Sequence, residues 1–171
     1  MRKILFTHFL MFVILFSATA QQEQQSRKEK RQVKQEEKKK EIRNLLKNKT
    51  YVFKPTHALP LGGGSIFLNH SYEAEIKGDT LISYLPFYGV AYRVEYGGRN
   101  SGFDFTQPIE EYNHKKDRKG YRVNFDVKNK IDHLNYSLQI SEQGNATLVI
   151  TSTNRQAITF YGHIEAPEEN E

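Results

Sequence analysis

The chain has 171 residues, no cysteine, 12% aromatic residues and a formal net charge of +5. Without cysteine there are no disulfides, no thiol chemistry and no lipid-bearing Cys of a bacterial lipoprotein, so an exported domain of this sequence is held by its core alone. The charge is uneven. Between Glu23 and Lys49, 11 Lys or Arg stand against 5 Glu, a net of +6, whereas the chain from Thr50 onward carries a net of −3; the pattern is a basic arm on a mildly acidic body.

Residues 1–20 have the three parts of a secretory signal. Arg2 and Lys3 are the positive region, Ile4 to Phe16 is apolar apart from Thr7 and His8, and Ala18-Thr19-Ala20 places small residues where a signal peptidase reads. Cleavage after Ala20 is expected. The alternative, a transmembrane anchor, needs about 20 apolar residues and this run is shorter. The expected location is periplasmic or secreted, with no transmembrane segment after cleavage.

Residues 21–49 contain neither Gly nor Pro and are rich in Lys, Glu, Gln and Arg, so a charged helical arm is expected. Ile42, Leu45 and Leu46 follow i, i+3, i+4 spacing, and only these last turns can dock on a core. The first half reads as a solvated spacer. A membrane-surface or nucleic-acid arm is the alternative, but an interfacial helix needs an apolar face, and an exported protein is not expected to meet nucleic acid.

From Tyr51 the period changes to two. Tyr121, Val123, Phe125 and Val127 alternate with polar residues, as do Leu134, Tyr136, Leu138 and Ile140, then Ile158, Phe160, Gly162 and Ile164. These are half-buried strands. Turns at Gly78-Asp79, Lys119-Gly120, Asn129-Lys130 and Gly144-Asn145 make successive strands antiparallel neighbours. The expected fold is all-β: a small antiparallel barrel or barrel-like sandwich of seven or eight strands over residues 50–166, followed by an acidic tail at 167–171. Gly62-Gly63-Gly64 reads as a loop; a phosphate cradle would need a helix start after it, and Ser65 to Leu68 looks like a strand.

No catalytic constellation is visible, and an enzyme is not expected. His57, His70, His114, His133 and His163 lack metal-ligand spacing, so no metal or cofactor is expected. Adjacent Glu110 and Glu111 point to opposite faces of a strand. Asp104, between Phe103 and Phe105, is either desolvated by those rings or a surface residue between two inward ones. Sequons at Asn48, Asn69, Asn135 and Asn145 matter only on a eukaryotic secretory route.

Ser83 to Phe105 is the most unusual stretch. It carries seven rings, punctuated by Gly89, Gly97, Gly98 and Gly102. One reading makes its tyrosines ordinary strand residues. The other makes it a flap or cavity mouth that stacks on a ligand. The candidate ligand-binding residues are then Tyr84, Phe87, Tyr88, Tyr92, Arg93, Tyr96, Phe103 and Phe105, with Arg155 from the Asn154-Arg155-Gln156 cluster, which also reads as a hairpin turn. Arg93 and Arg99 could hold an acidic group.

SYLPFYGVAY (Ser83–Tyr92), GFDFTQPIEEY (Gly102–Tyr112) and NRQAITFYG (Asn154–Gly162) resemble motifs of domain-of-unknown-function family 4251, exported proteins of the Bacteroidota. The resemblance spans roughly Asn44 to Glu165 and includes the Gly62–Ser65 loop. It implies an envelope or periplasmic protein of a Gram-negative bacterium and carries over no activity. Many members of the family are lipoproteins; this chain has no Cys for such an anchor. The function expected is a periplasmic binding module for a small apolar or glycan-like ligand, a lipid or sugar, with a concave pocket lined by several of the rings. The alternative is an envelope protein–protein interaction module that uses the basic arm.

Overall fold

A computed structural model describes residues 27–69, 71–92, 102–128 and 132–168. The signal, the last three residues of the acidic tail, His70, Arg93, Tyr96 and Arg99 lie outside the described residues. The chain divides into two compact units, Met1–Glu37 and Lys38–Glu171. In the first, residues 27–37 are helical and exposed on every side, because a run of Lys, Arg, Gln and Glu with one Val offers no apolar stripe to bury.

In the second unit residues 38–48 are helical and bury Ile42 and Leu46, with Leu45 packed beside them. This helix ends where Lys49 adopts a φ of 51°, the left-handed turn that closes many helices. The Lys49 N–H donates to Leu46 O at 3.3 Å, and its carbonyl accepts from Gly78 N at 2.8 Å.

Among the described residues ten strands follow: β1 (Thr50–Pro60), β2 (Ile66–Phe67), β3 (Glu73–Lys77), β4 (Thr80–Leu85), β5 (Phe103–Pro108), β6 (Glu110–Asp117), β7 (Gly120–Lys128), β8 (His133–Ser141), β9 (Asn145–Ser152) and β10 (Ile158–Glu165). All pair antiparallel in one sheet, ordered β5-β4-β3-β1-β10-β9-β8-β7-β6, with β2 also on β1. The sheet curls into a nearly closed barrel, because its two ends, β5 and β6, are consecutive in the chain.

The count is ten rather than seven or eight because two barrel positions hold broken strands. β2 and β3 both lie antiparallel on β1, β2 at His57–Ala58 and β3 at Thr50–Phe53. Between these stretches β1 shifts register from Pro55 to His57, and Pro55 has no N–H to give to a ladder. In the same way β5 pairs with β4, and β6 with β7. Pro108 precedes the break, the Ile109 N–H turns to Asp79 O at 2.8 Å, and Glu111 takes a φ of 53°. One bent run thus closes the barrel against both neighbours.

The interior is filled by the alternating apolar set. Phe53, Val123, Phe125, Leu138, Ile150 and Phe160 are each at most 1% exposed, and each such side chain contributes roughly 1.5–3 kcal/mol by burial. Tyr112, Phe125 and Tyr136 stack in a row across β6, β7 and β8, with centroids 6.0 and 5.0 Å apart and planes 17° and 10° off parallel. Gly162 takes an inward position without a side chain; a Cβ there would lie 2.1 Å from Lys54 O, so β10 and β1 close up beside the Pro55 bulge.

Register separates two ends. At the helix end, Ile42 packs on Gly144 of the β8–β9 turn, Lys39 and Lys116 both reach Glu142, at 3.2 and 3.5 Å, and Tyr51 Oη meets Tyr112 Oη at 3.4 Å. The other end gathers the close of β4, the start of β5 and β8, and the β9–β10 connection.

Candidate functional site

β4 stops at Leu85 because Pro86 follows and cannot donate to a ladder. The chain then crosses to the β9–β10 connection as a strap, Pro86 to Tyr92. Ala91 forms an isolated bridge with Arg155. Tyr92 N donates to Asn154 O at 2.7 Å and Gln156 N to Val90 O at 3.0 Å. The Gln156 side chain accepts from Val90 N at 3.1 Å. Gly89, at φ +149°, lets the strap bend against Phe87 and Gln156; a Cβ there would come within 3.1 Å of the Phe87 ring, and the φ itself is one that favours glycine.

Under the strap sits a buried ion pair. Arg155 Nε lies 3.4 Å from Asp132 Oδ2, with side chains 14% and 2% exposed. The guanidinium carbon is 5.2 Å from the Phe87 ring centroid and 5.0 Å from that of Phe103, and those two rings meet edge to face at 5.7 Å. A cation against aromatic faces is attracted to their electron-rich planes. The Asp132 carboxylate also accepts from Ser152 Oγ, at 2.7 and 2.9 Å to its two oxygens, and from Thr153 Oγ1 at 3.0 Å. Ser152 Oγ in turn accepts from Asn154 N and Arg155 N, both at 3.0 Å, so one serine fixes the turn that aims Arg155.

Two polar residues of the barrel interior complete this end. Buried Ser83 donates to Phe103 O at 2.7 Å. Tyr136 is fully buried, and its hydroxyl has no partner at hydrogen-bond geometry. Burial pushes the Tyr136 phenol up from its usual value, with Ser83, Arg155 and Asp132 as the polar groups beside it.

The expected ligand residues part company here. Phe103 is in the core, and Phe87, Tyr88 and Phe105 are partly buried against it. Tyr84 and Tyr92 are 49% and 64% exposed. Arg155 holds Asp132 and two rings rather than facing solvent. Tyr84 meets Tyr72, the residue before β3, with ring centroids 5.3 Å apart. Burial, with the Tyr88 and Tyr84 hydroxyls nearby, raises the Tyr72 phenol. Leu61, Phe67 and Val90 are also exposed toward this end, so it carries an apolar rim.

The carboxylates considered for catalysis stand apart. Asp104, Glu111 and His114 are exposed, and Glu110 is held by Lys128 at 2.6 Å. A groove of about 800 Å³ runs along the outward face of β1, β3 and β10 toward the tail and is bordered by Val52, Lys54, Glu75, Ile82 and Glu168. None of the candidate rings among the described residues borders it. Lys54 donates to Glu73 there at 2.5 Å, and that bond, with Glu165 and Glu168 adding to it, raises the amine above its usual value.

Sequence reading missed Asp132, Ser83 and Tyr136. Ser83 and Tyr136 follow the alternation and look like ordinary inward positions. Asp132 precedes a strand with no motif around it, and only its register with Ser152–Arg155 marks it.

The sequence model of the family described as "Domain of unknown function (DUF4251)" matches residues 33–164. The crystal structure of a DUF4251 family protein from Bacteroides eggerthii DSM 20697 is similar to this chain at a TM-score of 0.60 and 16% identity, covering 75% of this chain and 87% of that one. That likeness is one of fold. No curated protein matches. Among the described residues no helix is long and apolar enough to cross a membrane.

Proposed function

The chain belongs to the DUF4251 family, and on that basis we propose that it is an exported binding module, periplasmic or secreted, that holds a small apolar or glycan-like ligand on the aromatic rim at the strapped end of the barrel. The Tyr72–Tyr84 pair carries the reading. Tyr84 is about half exposed yet held at 5.3 Å by a neighbouring ring. A ring fixed in this way presents its surface without further ordering cost, which is what a sugar or an apolar group stacks on. Tyr92 and Phe67, each more than 60% exposed, extend the surface. Binding rather than catalysis is favoured because, among the described residues, Asp104 and His114 are exposed and Glu110 is held by Lys128.

Native mass spectrometry of the protein purified from its source tests this. A co-purifying small molecule retained by the wild type and lost by a Tyr72→Ala, Tyr84→Ala variant is the expected result. Tyr72 is partly buried against the core, so Tyr84→Ala alone, a change at a residue 49% exposed that costs about 0.5 kcal/mol or less, separates loss of the ligand from loss of the fold. A bare protein, or a companion indifferent to both changes, defeats the proposal.

A second reading places an envelope protein on the basic helix. It is favoured by residues 27–37 being exposed on all sides, a charged surface with nothing of its own to cover. Removing residues 21–40 abolishes partner capture in that case; unchanged capture dismisses it.

A further inference from the structure

Positive charge is spread unevenly over the barrel. Five of the twelve Lys and Arg from Thr50 onward stand between Lys115 and Arg122, against the single Asp117, in a body whose net charge is −3. They belong to the β6–β7 hairpin, and Lys115, Lys116, Arg118, Lys119 and Arg122 are all exposed. The fold does not call for them. Asp117 pairs with Gly120, so Arg118 and Lys119 form the turn. Its neighbours hold that turn: Asp117 Oδ1 accepts from Lys119 N at 2.8 Å, and Gly120 takes a φ of 142°. Lys115 lies directly opposite Arg122 in the ladder, and like charges so placed are destabilising. A lysine on an edge strand discourages pairing with other chains; that accounts for β6 but not for the turn, nor for Arg122 on β7, which has β6 on one side and β8 on the other. A second basic segment reaches the same place. Lys39 and Lys116 share the Glu142 carboxylate, at 3.2 and 3.5 Å, which sets the helical turn 39–43 beside the hairpin, with Lys40 and Arg43 exposed.

We propose that this helix end of the barrel is a docking surface for an anionic lipid bilayer. The cations stand on a hairpin tip and a helix, a form that meets a plane of phosphates rather than a single enclosed anion. Among the described residues none of the large exposed apolar side chains lies in either segment, so the protein rests on the headgroups by charge and does not insert. Each Lys or Arg near such a surface strengthens binding about fivefold. The surface lies at the opposite end from the aromatic rim and needs no ligand there.

Co-sedimentation of protein purified from its source with vesicles of phosphatidylglycerol in phosphatidylcholine tests this. The wild type binds these vesicles and ignores pure phosphatidylcholine, and salt near about 1 M, where the Debye length is about 3 Å, releases it. Lys115→Gln with Arg118→Gln and Lys119→Gln weakens binding on the order of a hundredfold, while Lys115→Arg with Lys119→Arg keeps it. The same number of changes in the arm, Lys28→Gln with Lys30→Gln and Lys34→Gln, weakens it less. Lys115→Gln alone weakens binding about fivefold and raises the urea midpoint, because it removes the like-charge opposition to Arg122. Tyr84→Ala binds vesicles like the wild type, so failure of the rim reading leaves this result standing. Equal binding to phosphatidylcholine, retention in high salt, an arm effect larger than the hairpin effect, or a Lys115→Gln protein that binds like the wild type overturns the proposal. A wild type that ignores the vesicles but binds polyglutamate makes the surface a protein interface instead and overturns it too.

Discussion

The two ends of the barrel are closed by different physics. At the helix end, Ile42 and Leu46 seal the interior with apolar side chains, and the charged contacts there, Lys39 and Lys116 on Glu142, lie at the surface. At the strapped end a buried ion pair, two rings and a short run of backbone close the mouth. Apolar burial is non-directional and tolerates small shifts. A buried ion pair holds only while both partners and their hydrogen bonds are in place. The first end tolerates small changes one at a time, whereas the second depends on all of its partners together.

The largest expected effect tests the ion pair. Asp132→Ala strands the Arg155 charge and costs about 3–5 kcal/mol in urea unfolding; replacing both partners, Asp132→Leu with Arg155→Met, restores most of that loss. A cost for Asp132→Ala below about 1 kcal/mol would show that the strapped end rests on its rings instead. At the opposite end, Ile42→Ala costs roughly 2–4 kcal/mol by lost burial and a residual cavity, and the loss does not depend on salt. A marked salt dependence would mean that the surface charges, not the apolar seal, hold the helix.

Gln156→Ala costs about 1 kcal/mol, confined to the strap: exchange at the Val90 and Tyr92 amides speeds about fivefold, while amides at Ile42–Leu46 keep their rates. Smaller still is Tyr136→Phe, which leaves stability at neutral pH within about 0.5 kcal/mol because it deletes a hydroxyl with no partner. Its signature is alkaline. Burial raises the Tyr136, Tyr51 and Tyr112 phenols above 10.0, so above pH 10 the unfolded chain loses protons that the folded one keeps. Stability is full below that value and falls as pH rises beyond it; Tyr136→Phe makes the fall shallower in pH-stepped unfolding.

The smallest effect is acidic and belongs to the helix end. Lys39 first, then Lys116, holds the Glu142 carboxyl below its ordinary 4.5. A lowered carboxyl contributes above its unfolded value, and the contribution disappears as pH falls from 4.5 through the lowered folded value. Glu142→Gln flattens that part of the curve. The pair is exposed and screened, so the slope shrinks in salt.

Much of this protein was legible in one dimension. The period-two runs at Tyr121–Val127 and Leu134–Ile140 name the inward residues, because alternation alone sets which face each side chain takes. Ile42, Leu45 and Leu46 mark the docking turns of an otherwise solvated helix by their spacing. The missing cysteines leave the core as the sole support. What such patterns lack is the identity of the neighbour. Period two says that Ser83 and Tyr136 point inward but not that both end beside Asp132 and Arg155, which arrive from the far ends of β8 and β9. It sets Phe103 and Tyr84 in one aromatic stretch, yet does not say that Phe103 is buried while Tyr84 stays half exposed, nor that Phe87 lies on Arg155 and Tyr72 on Tyr84. Those meetings depend on the shift at Pro55, the bend at Ile109 and the closure of β5 and β6 into one strand position. Each sets register between segments distant in the chain, and register across a barrel is a property of the closed sheet rather than of any single strand.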